Sequence, residues 1–257
     1  MQKPLYPPSG NYDSTKMSAL TRVSSGIPGL DEMINGGFPR GRVTLVLGGP
    51  GSGKTIFGVQ FIVSGIRQYG ESAVFVSLDE PKEHLYQEMS TLGWDLAGME
   101  SEGRLAFVDA SPLSGIAQDK ESKSYLKDTM ESILSSAKAV RAGRIVIDPI
   151  TALTIRYPDV VQRRDAVLRL FAALNGTGAT CIVTTEMRTG GTVERAIQLE
   201  EYLANSVILL QSLQVGRAII SSIQVEKMRG SPHDNQPRPY KITDSGIVIY
   251  PNEFVFK

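Results

Sequence analysis

The 257-residue chain is poor in the residue types that build cross-links and metal centres, with one cysteine and two histidines. A lone cysteine excludes an internal disulfide, and this set falls short of the usual ligand count of a zinc site. Cys181 lies in the apolar run Thr180-Cys181-Ile182-Val183, which reads as a buried, inert thiol. Neither sign of charge is in excess: 27 Lys and Arg face 27 Asp and Glu, which argues against a strongly basic nucleic-acid binder but leaves room for a local patch. No run approaches the ~18 apolar residues of a membrane span. Lys3, Pro4, Pro7 and Pro8 stand where a secretory signal needs an apolar segment, so a cytoplasmic protein with no membrane span is expected.

What the chain does have is Gly48-Gly49-Pro50-Gly51-Ser52-Gly53-Lys54-Thr55, which fits G-x-x-x-x-G-K-[ST], a phosphate-binding loop. Each residue type has a physical reason. Glycines let the backbone curl so that successive N–H groups point at phosphate oxygens. Lys54 brings a positive charge to the β- and γ-phosphates, and the Thr55 hydroxyl can ligate Mg²⁺. The helix opening at Ile56 directs the positive end of its dipole at the anion. The flanks agree: Val43–Leu47 is an apolar, β-rich run, and Ile56–Tyr69 is long and largely apolar. The expected ligands are therefore ATP, on residues 48–56, and Mg²⁺.

Residues 1–19 hold Pro4, Pro7, Pro8, Gly10 and Asn11 with little apolar periodicity, and a flexible arm is expected there. Residues 20–257 read as one domain with no internal repeat. Apolar strands are expected at 43–47, 73–78, 105–109, 144–148, 180–184 and 206–211, with helices between several of them. In 122–142 the residues Leu126, Met130, Ile133, Leu134 and Ala137 share a helix face, and in 161–174 so do Val167, Leu168, Phe171 and Leu174. The alternation predicts an α/β fold: a mostly parallel twisted sheet with helices on both faces. Residues 218–225 and 240–250, the latter turning at Asp244-Ser245-Gly246, read as antiparallel strands added at one edge.

A triphosphatase also needs a second metal-side carboxylate, a group that positions water, and cations for the charge developing on the γ-phosphate. Arg144-Ile145-Val146-Ile147-Asp148 is an apolar strand ending in an acid, at the sheet edge where such folds bind ligands. Asp148 is the candidate carboxylate for Mg²⁺, although a strand-end aspartate can also cap a turn. Asp79 and Glu80 follow another apolar strand and fit general-base work; alternatively they open a helix at Pro81. Lys227 and Arg229 project to the same side of an extended segment and on physics alone read as exposed basic residues.

Taken together these residues resemble the KaiC branch of the RecA superfamily of ATPases. The likeness covers about residues 21–251. It rests on Thr21–Glu32 with Gly36-Gly37-Phe38-Pro39-Arg40-Gly41 leading into the loop, on Phe75–Glu80, on Leu92-Gly93-Trp94-Asp95-Leu96, on Val108–Pro112, on Thr184-Thr185-Glu186 and on Lys227-Met228-Arg229-Gly230. The resemblance implies a RecA-like core and a six-membered homo-oligomeric ring with ATP between subunits. It makes Asp79 and Glu80 the catalytic acids, and it makes Lys227 and Arg229 the cations that reach a neighbour's ATP. The chain departs from the clock members in three ways. It has one such domain rather than two, and Asp79 stands where Glu is usual, implying slow turnover. Glu201-Tyr202 stands where they carry adjacent phosphoacceptors, which argues against autophosphorylation by that route.

Three functions are compatible with the sequence. One is a ring ATPase that switches an unidentified protein partner. Another is a RecA or RadA paralogue that binds single-stranded DNA through the segments holding Arg156, Arg163, Arg164 and Tyr157, and Arg188, Gly190, Gly191 and Arg195. In the second segment the basic charge is offset by Glu194, Glu200 and Glu201, and Tyr157 is a thin supply of stacking surface. The last is a non-hydrolysing nucleotide sensor in an assembly machine.

Overall fold

The computed structural model describes residues 20–111, 122–187, 197–216 and 218–256. The expected arm at 1–19 lies outside the described residues, as do Arg188, Gly190, Gly191, Glu194 and Arg195. In chain order the elements are β1 (Arg22–Val23), α1 (Leu30–Met33), β2 (Phe38–Pro39), β3 (Val43–Gly48), α2 (Lys54–Tyr69), β4 (Ser72–Ser77), α3 (Lys82–Ser90), α4 (Leu96–Ser101) and β5 (Leu105–Asp109). There follow α5 (Ser122–Val140), β6 (Ala142–Asp148), α6 (Thr151–Thr154), α7 (Val160–Gly176), β7 (Thr180–Glu186), α8 (Leu199–Leu203), β8 (Ser206–Val215), β9 (Ala218–Met228), β10 (Arg238–Thr243) and β11 (Gly246–Ile249).

Nine strands form one sheet in the order β11-β10-β9-β8-β3-β7-β6-β4-β5. From β8 to β5 the neighbours are parallel, and β9, β10 and β11 continue antiparallel from β8. This is the expected α/β architecture, with the antiparallel edge at the C-terminal end of the chain. The strand carrying the glycine loop, β3, is central, and all six of its residues are buried. Burial on both faces explains why its sequence is a continuous apolar run instead of an alternation.

The two faces carry separate cores. On one, α1 to α4 pack with Phe57, Phe61, Leu85, Met89, Trp94 and Met99 over Val46, Phe75 and Val146. On the other, α5 and α7 bring Tyr125, Ile133, Val167, Leu170 and Leu174 against Leu45, Val74, Ile145 and Val183. Two residues expected on the inward helix faces turn out to be exposed, Leu134 at 39 % and Leu168 at 43 %. Tyr125 and Thr129 in α5, and Ala166 and Leu170 in α7, are buried in their place. On each helix the buried stripe is turned by about one position from the apolar one, because contact with the sheet decides which residues are covered.

Close approach of α2 to the sheet depends on two small residues. A side-chain carbon at Gly58 would come within 2.8 Å of Val146 Cγ1, and one at Gly65 would collide with Arg144. Arg144 is itself 1 % exposed. Its Nη1 donates to the Phe61 carbonyl at 2.7 Å, its Nε to Glu71 Oε2 at 2.6 Å, and its guanidinium lies 4.3 Å from the Phe61 ring centre. The buried charge is thus met by a carboxylate, a carbonyl and a ring face, as burial demands.

Candidate functional site

The site is assembled by strand register. Gly48 at the end of β3 pairs with Glu186 at the end of β7, and Ser77 at the end of β4 pairs with Asp148 at the end of β6. The parallel strands thus end together, placing the glycine loop, two acids and the Asp79-Glu80 segment along one edge of the sheet. The loop runs from Gly48 to the first turn of α2, with Gly51 and Gly53 at φ values of 72° and 85° that favour glycine. Around Gly49 and Gly51 a side-chain carbon would meet nothing within 4 Å, so the rim of the loop is open to a ligand.

The inner side of the loop is fixed from below. Tyr240 in β10 donates its hydroxyl to the Ser52 carbonyl at 2.7 Å. Gln60 in α2 holds the adjoining β11, accepting from the Ile247 N–H at 2.7 Å and donating to its carbonyl at 3.1 Å. The Lys54 ammonium rests on the carbonyls of Gly48 and Gly49, 2.9 Å from each. Burial lowers its pKa, while the facing Asp148 and Glu186 carboxylates act against that shift.

Thr55 donates to Asp148 Oδ2 at 2.7 Å, and Thr184 donates to Oδ1 of the same carboxylate. Asp148 is buried, which raises its pKa; the two hydroxyl donors and the Lys54 charge oppose the rise. The hydroxyl and carboxylate that would share a Mg²⁺ are thus already adjacent. Both are hard oxygen donors of the kind Mg²⁺ takes, so the residues fit the ion.

A cavity of about 150 Å³ lies beside this pair and is walled in part by Lys54, Phe75, Ser77, Asp79, Glu80 and Glu186. The Ser77 hydroxyl accepts from the Glu80 N–H at 3.1 Å and donates to the Glu80 carbonyl at 2.5 Å, locking the turn that carries the acids. Burial raises the pKa of Glu80, with the carboxylates of Glu88, Asp148 and Asp79 adding to it and His84 opposing. The same segment opens α3, whose first residue follows Pro81. The two readings of Asp79 and Glu80 are therefore compatible: the pair precedes a helix and also faces the loop.

Lys227 and Arg229 stand apart from this cavity. Lys227 donates to the carbonyls of Glu201 and Ala204 at 2.7 Å each and to that of Tyr202 at 3.3 Å, and Arg229 Nη2 donates to the Tyr202 carbonyl at 2.7 Å. Both cations gather at the C-terminal end of α8, where unpaired carbonyls attract positive charge. They share one side of the chain as expected, but neither lines the cavity that holds Lys54, Asp79 and Glu80.

Sequence reasoning missed Glu186, Thr184 and Tyr240. Glu186 could have been found by the rule that pointed to Asp148, an acid closing an apolar strand; Tyr240 could not, since its partner lies 188 positions away. Of the residues proposed for DNA contact, Tyr157 is 4 % exposed and donates to the Ser122 carbonyl at 2.6 Å. Arg156 lies 4.0 Å over the Tyr125 ring, and Arg163 Nε donates to the Tyr157 carbonyl at 3.1 Å. Cys181 is fully buried, as expected, and burial pushes its thiol up to about 12. Among the described residues no helix is long and apolar enough to cross a membrane.

A central parallel strand, a glycine loop with Lys and Thr at the head of a helix, and an acid ending β6, one strand beyond β7, define a phosphate-loop ATPase domain of the RecA type. The chain belongs to the KaiC family: the model described as "ATPase: KaiC" matches residues 23–254. It is 35 % identical over 243 residues to a UPF0273 protein of Pyrococcus furiosus, covering 91 % of this chain and 96 % of that one. To the circadian clock oscillator protein KaiC of Synechococcus elongatus it is 33 % identical over 240 residues, 93 % of this chain and 46 % of that longer protein. Among solved structures it is similar to a KaiC-like protein of Pyrococcus horikoshii, with a TM-score of 0.78 and 36 % identity, covering 91 % of this chain and all of the other.

Proposed function

We propose that the chain is a Mg²⁺-dependent ATPase that releases ADP and phosphate. The observation that carries this reading is the contact between Thr55 and Asp148 beside the Lys54 loop, faced across one cavity by Asp79 and Glu80. The loop N–H groups and Lys54 hold the β- and γ-phosphates. Thr55 and Asp148 would hold Mg²⁺, which when bound would supply positive charge against the phosphates. Glu80, helped by Asp79, accepts the proton of the attacking water as its oxygen bonds to the γ-phosphorus and the bond to the β-phosphate oxygen breaks. Over the outer side of the loop lies an open groove of about 460 Å³ that includes Met89, Leu92 and Ile242, apolar side chains suited to the flat face of a base.

Phosphoryl transfer also uses a second cation on the γ-phosphate, and among the described residues lining the cavity there is none besides Lys54. Lys227 and Arg229 are such cations but lie outside the chain's own cavity. This supports a closed ring in which each copy offers them to the ATP of the next, six-membered as in the family resemblance, and through which turnover switches a protein partner. Buried Tyr157 and the engaged Arg156 and Arg163 weigh against the DNA-binding alternative.

The test is phosphate release from ATP with and without Mg²⁺, and with and without single-stranded DNA. Slow, Mg²⁺-dependent release that ignores DNA is expected. Stimulation by DNA that fades with salt would favour the recombinase-like reading, and binding without release the sensor.

A further inference from the structure

Lys82 is the first residue of α3, two positions after Glu80 and three after Asp79. A flexible lysine so close to two acids is within reach of either carboxylate, and an ammonium paired with the base would compete for the lone pair that must take a proton. The structure instead draws Lys82 the other way. Its Nζ lies 2.5 Å from Glu100 Oε2 in α4, and the Tyr86 hydroxyl, one turn further along α3, donates to the same oxygen at 3.1 Å.

An aromatic cluster completes the holder. Lys82 Nζ lies 5.3 Å from the Tyr86 ring centre and 5.9 Å from that of Phe107, distances at which a ring face attracts a cation. Tyr86 meets Phe107 edge-on at 5.6 Å, and Phe107 stacks on Phe75 at 5.8 Å. Phe75 is itself part of the wall of the cavity beside Asp79 and Glu80. Burial and the Glu100 carboxylate push the Tyr86 hydroxyl far above its usual range, so it stays a donor. Among the described residues that line the cavity, Lys54 is the sole cation.

Building on the ATPase reading, we infer that Glu100 is a positioning residue for hydrolysis: by holding the Lys82 ammonium against Tyr86 and Phe107, it keeps Asp79 and Glu80 unpaired and able to act on water. The role is electrostatic and separable from packing, because Gln at position 100 preserves shape and the Tyr86 hydrogen bond while releasing Lys82.

The test compares the wild-type chain, Glu100→Gln, Lys82→Met and the double variant for kcat, and for the Kd of a non-hydrolysable ATP analogue with Mg²⁺. Glu100→Gln should lower kcat about fivefold or more, a part of the ~10²–10⁴ that a general base contributes, with Kd unchanged within about twofold. The double variant should recover to within about twofold of the wild type, because no ammonium remains to invade the site. Unchanged kcat in Glu100→Gln overturns the inference while leaving the ATPase reading intact. So does a double variant as slow as the single one, which would make the cluster a packing element only. A wild-type chain that binds the analogue but releases no phosphate overturns both.

Discussion

Asp148→Asn separates the metal role proposed for this carboxylate from its role in folding. Without nucleotide the two effects of the change nearly cancel. Burial penalises the charged form of this carboxylate, and a neutral isostere removes that penalty. In exchange, the amide nitrogen must face Thr55 or Thr184, both of which donate to Asp148. That hydroxyl must turn and accept from the amide, exchanging a charge-assisted hydrogen bond for a neutral one at about 1 kcal/mol. The apo variant should therefore melt close to the wild type. With Mg-ATP at 100 times its Kd, mass action stabilises a binding-competent chain by about 2.7 kcal/mol. At about 2–4 °C per kcal/mol for a domain near this size, the wild-type melting point should rise by roughly 5–11 °C. The variant, tested at the same ligand concentration, should lose most of that rise, and EDTA should remove the difference between the two proteins. Thermal melts in four conditions, with and without ATP and with Mg²⁺ or EDTA, measure all of this. A full Mg²⁺-dependent rise in Asp148→Asn would refute the assignment of this acid to the metal.

Tyr240→Phe should weaken ATP-analogue binding and lower stability by about 1–3 kcal/mol, because the Ser52 carbonyl is left buried without its donor; calorimetry and urea unfolding read the two effects. Arg229→Ala and Asp79→Ala should each turn over poorly alone, yet a mixture should partly recover, since some interfaces then pair an intact acid with an intact arginine; no recovery on mixing would contradict a site shared between copies. The rate of ATP hydrolysis should fall on acidification at a pH above the ordinary glutamate value of 4.5, because Glu80 is raised and its protonated form cannot take a proton. A Glu80→Gln chain should lose that limb along with most of its activity. Cys181 should resist thiol reagents at pH 8 until the chain unfolds, since burial, by pushing its pKa to about 12, leaves on the order of one thiolate in 10⁴ and also blocks the reagent's approach.

The features legible in the sequence are the local ones. Val43–Gly48 announces itself as a central strand because burial on both faces leaves no polar position, and the loop that follows is specified residue by residue. Asp148 was legible because the strand-end rule needs only an apolar run and an acid. The unread part is tertiary. Leu134 and Leu168 fit the helical period but lie beside the face that meets the sheet. A buried arginine at the head of β6 gave no warning, since its partners Glu71 and the Phe61 carbonyl come from elsewhere. The Lys82–Glu100 pair joins two helices across a turn, and no spacing rule connects them.

The clamp from Tyr240 to Ser52 bears on the order in which the protein is made. The glycine loop is synthesised well before the hydroxyl that pins it from below, which follows it 188 positions later. During translation the loop therefore waits, its sequence complete and its floor missing, while β4 to β9 are added beside it. A ribosome stalled before residue 240 would display an intact nucleotide motif with little grip on nucleotide. Competence would then appear late and abruptly, when the C-terminal hairpin of β10 and β11 docks against α2, so that ATP binding reports a finished domain.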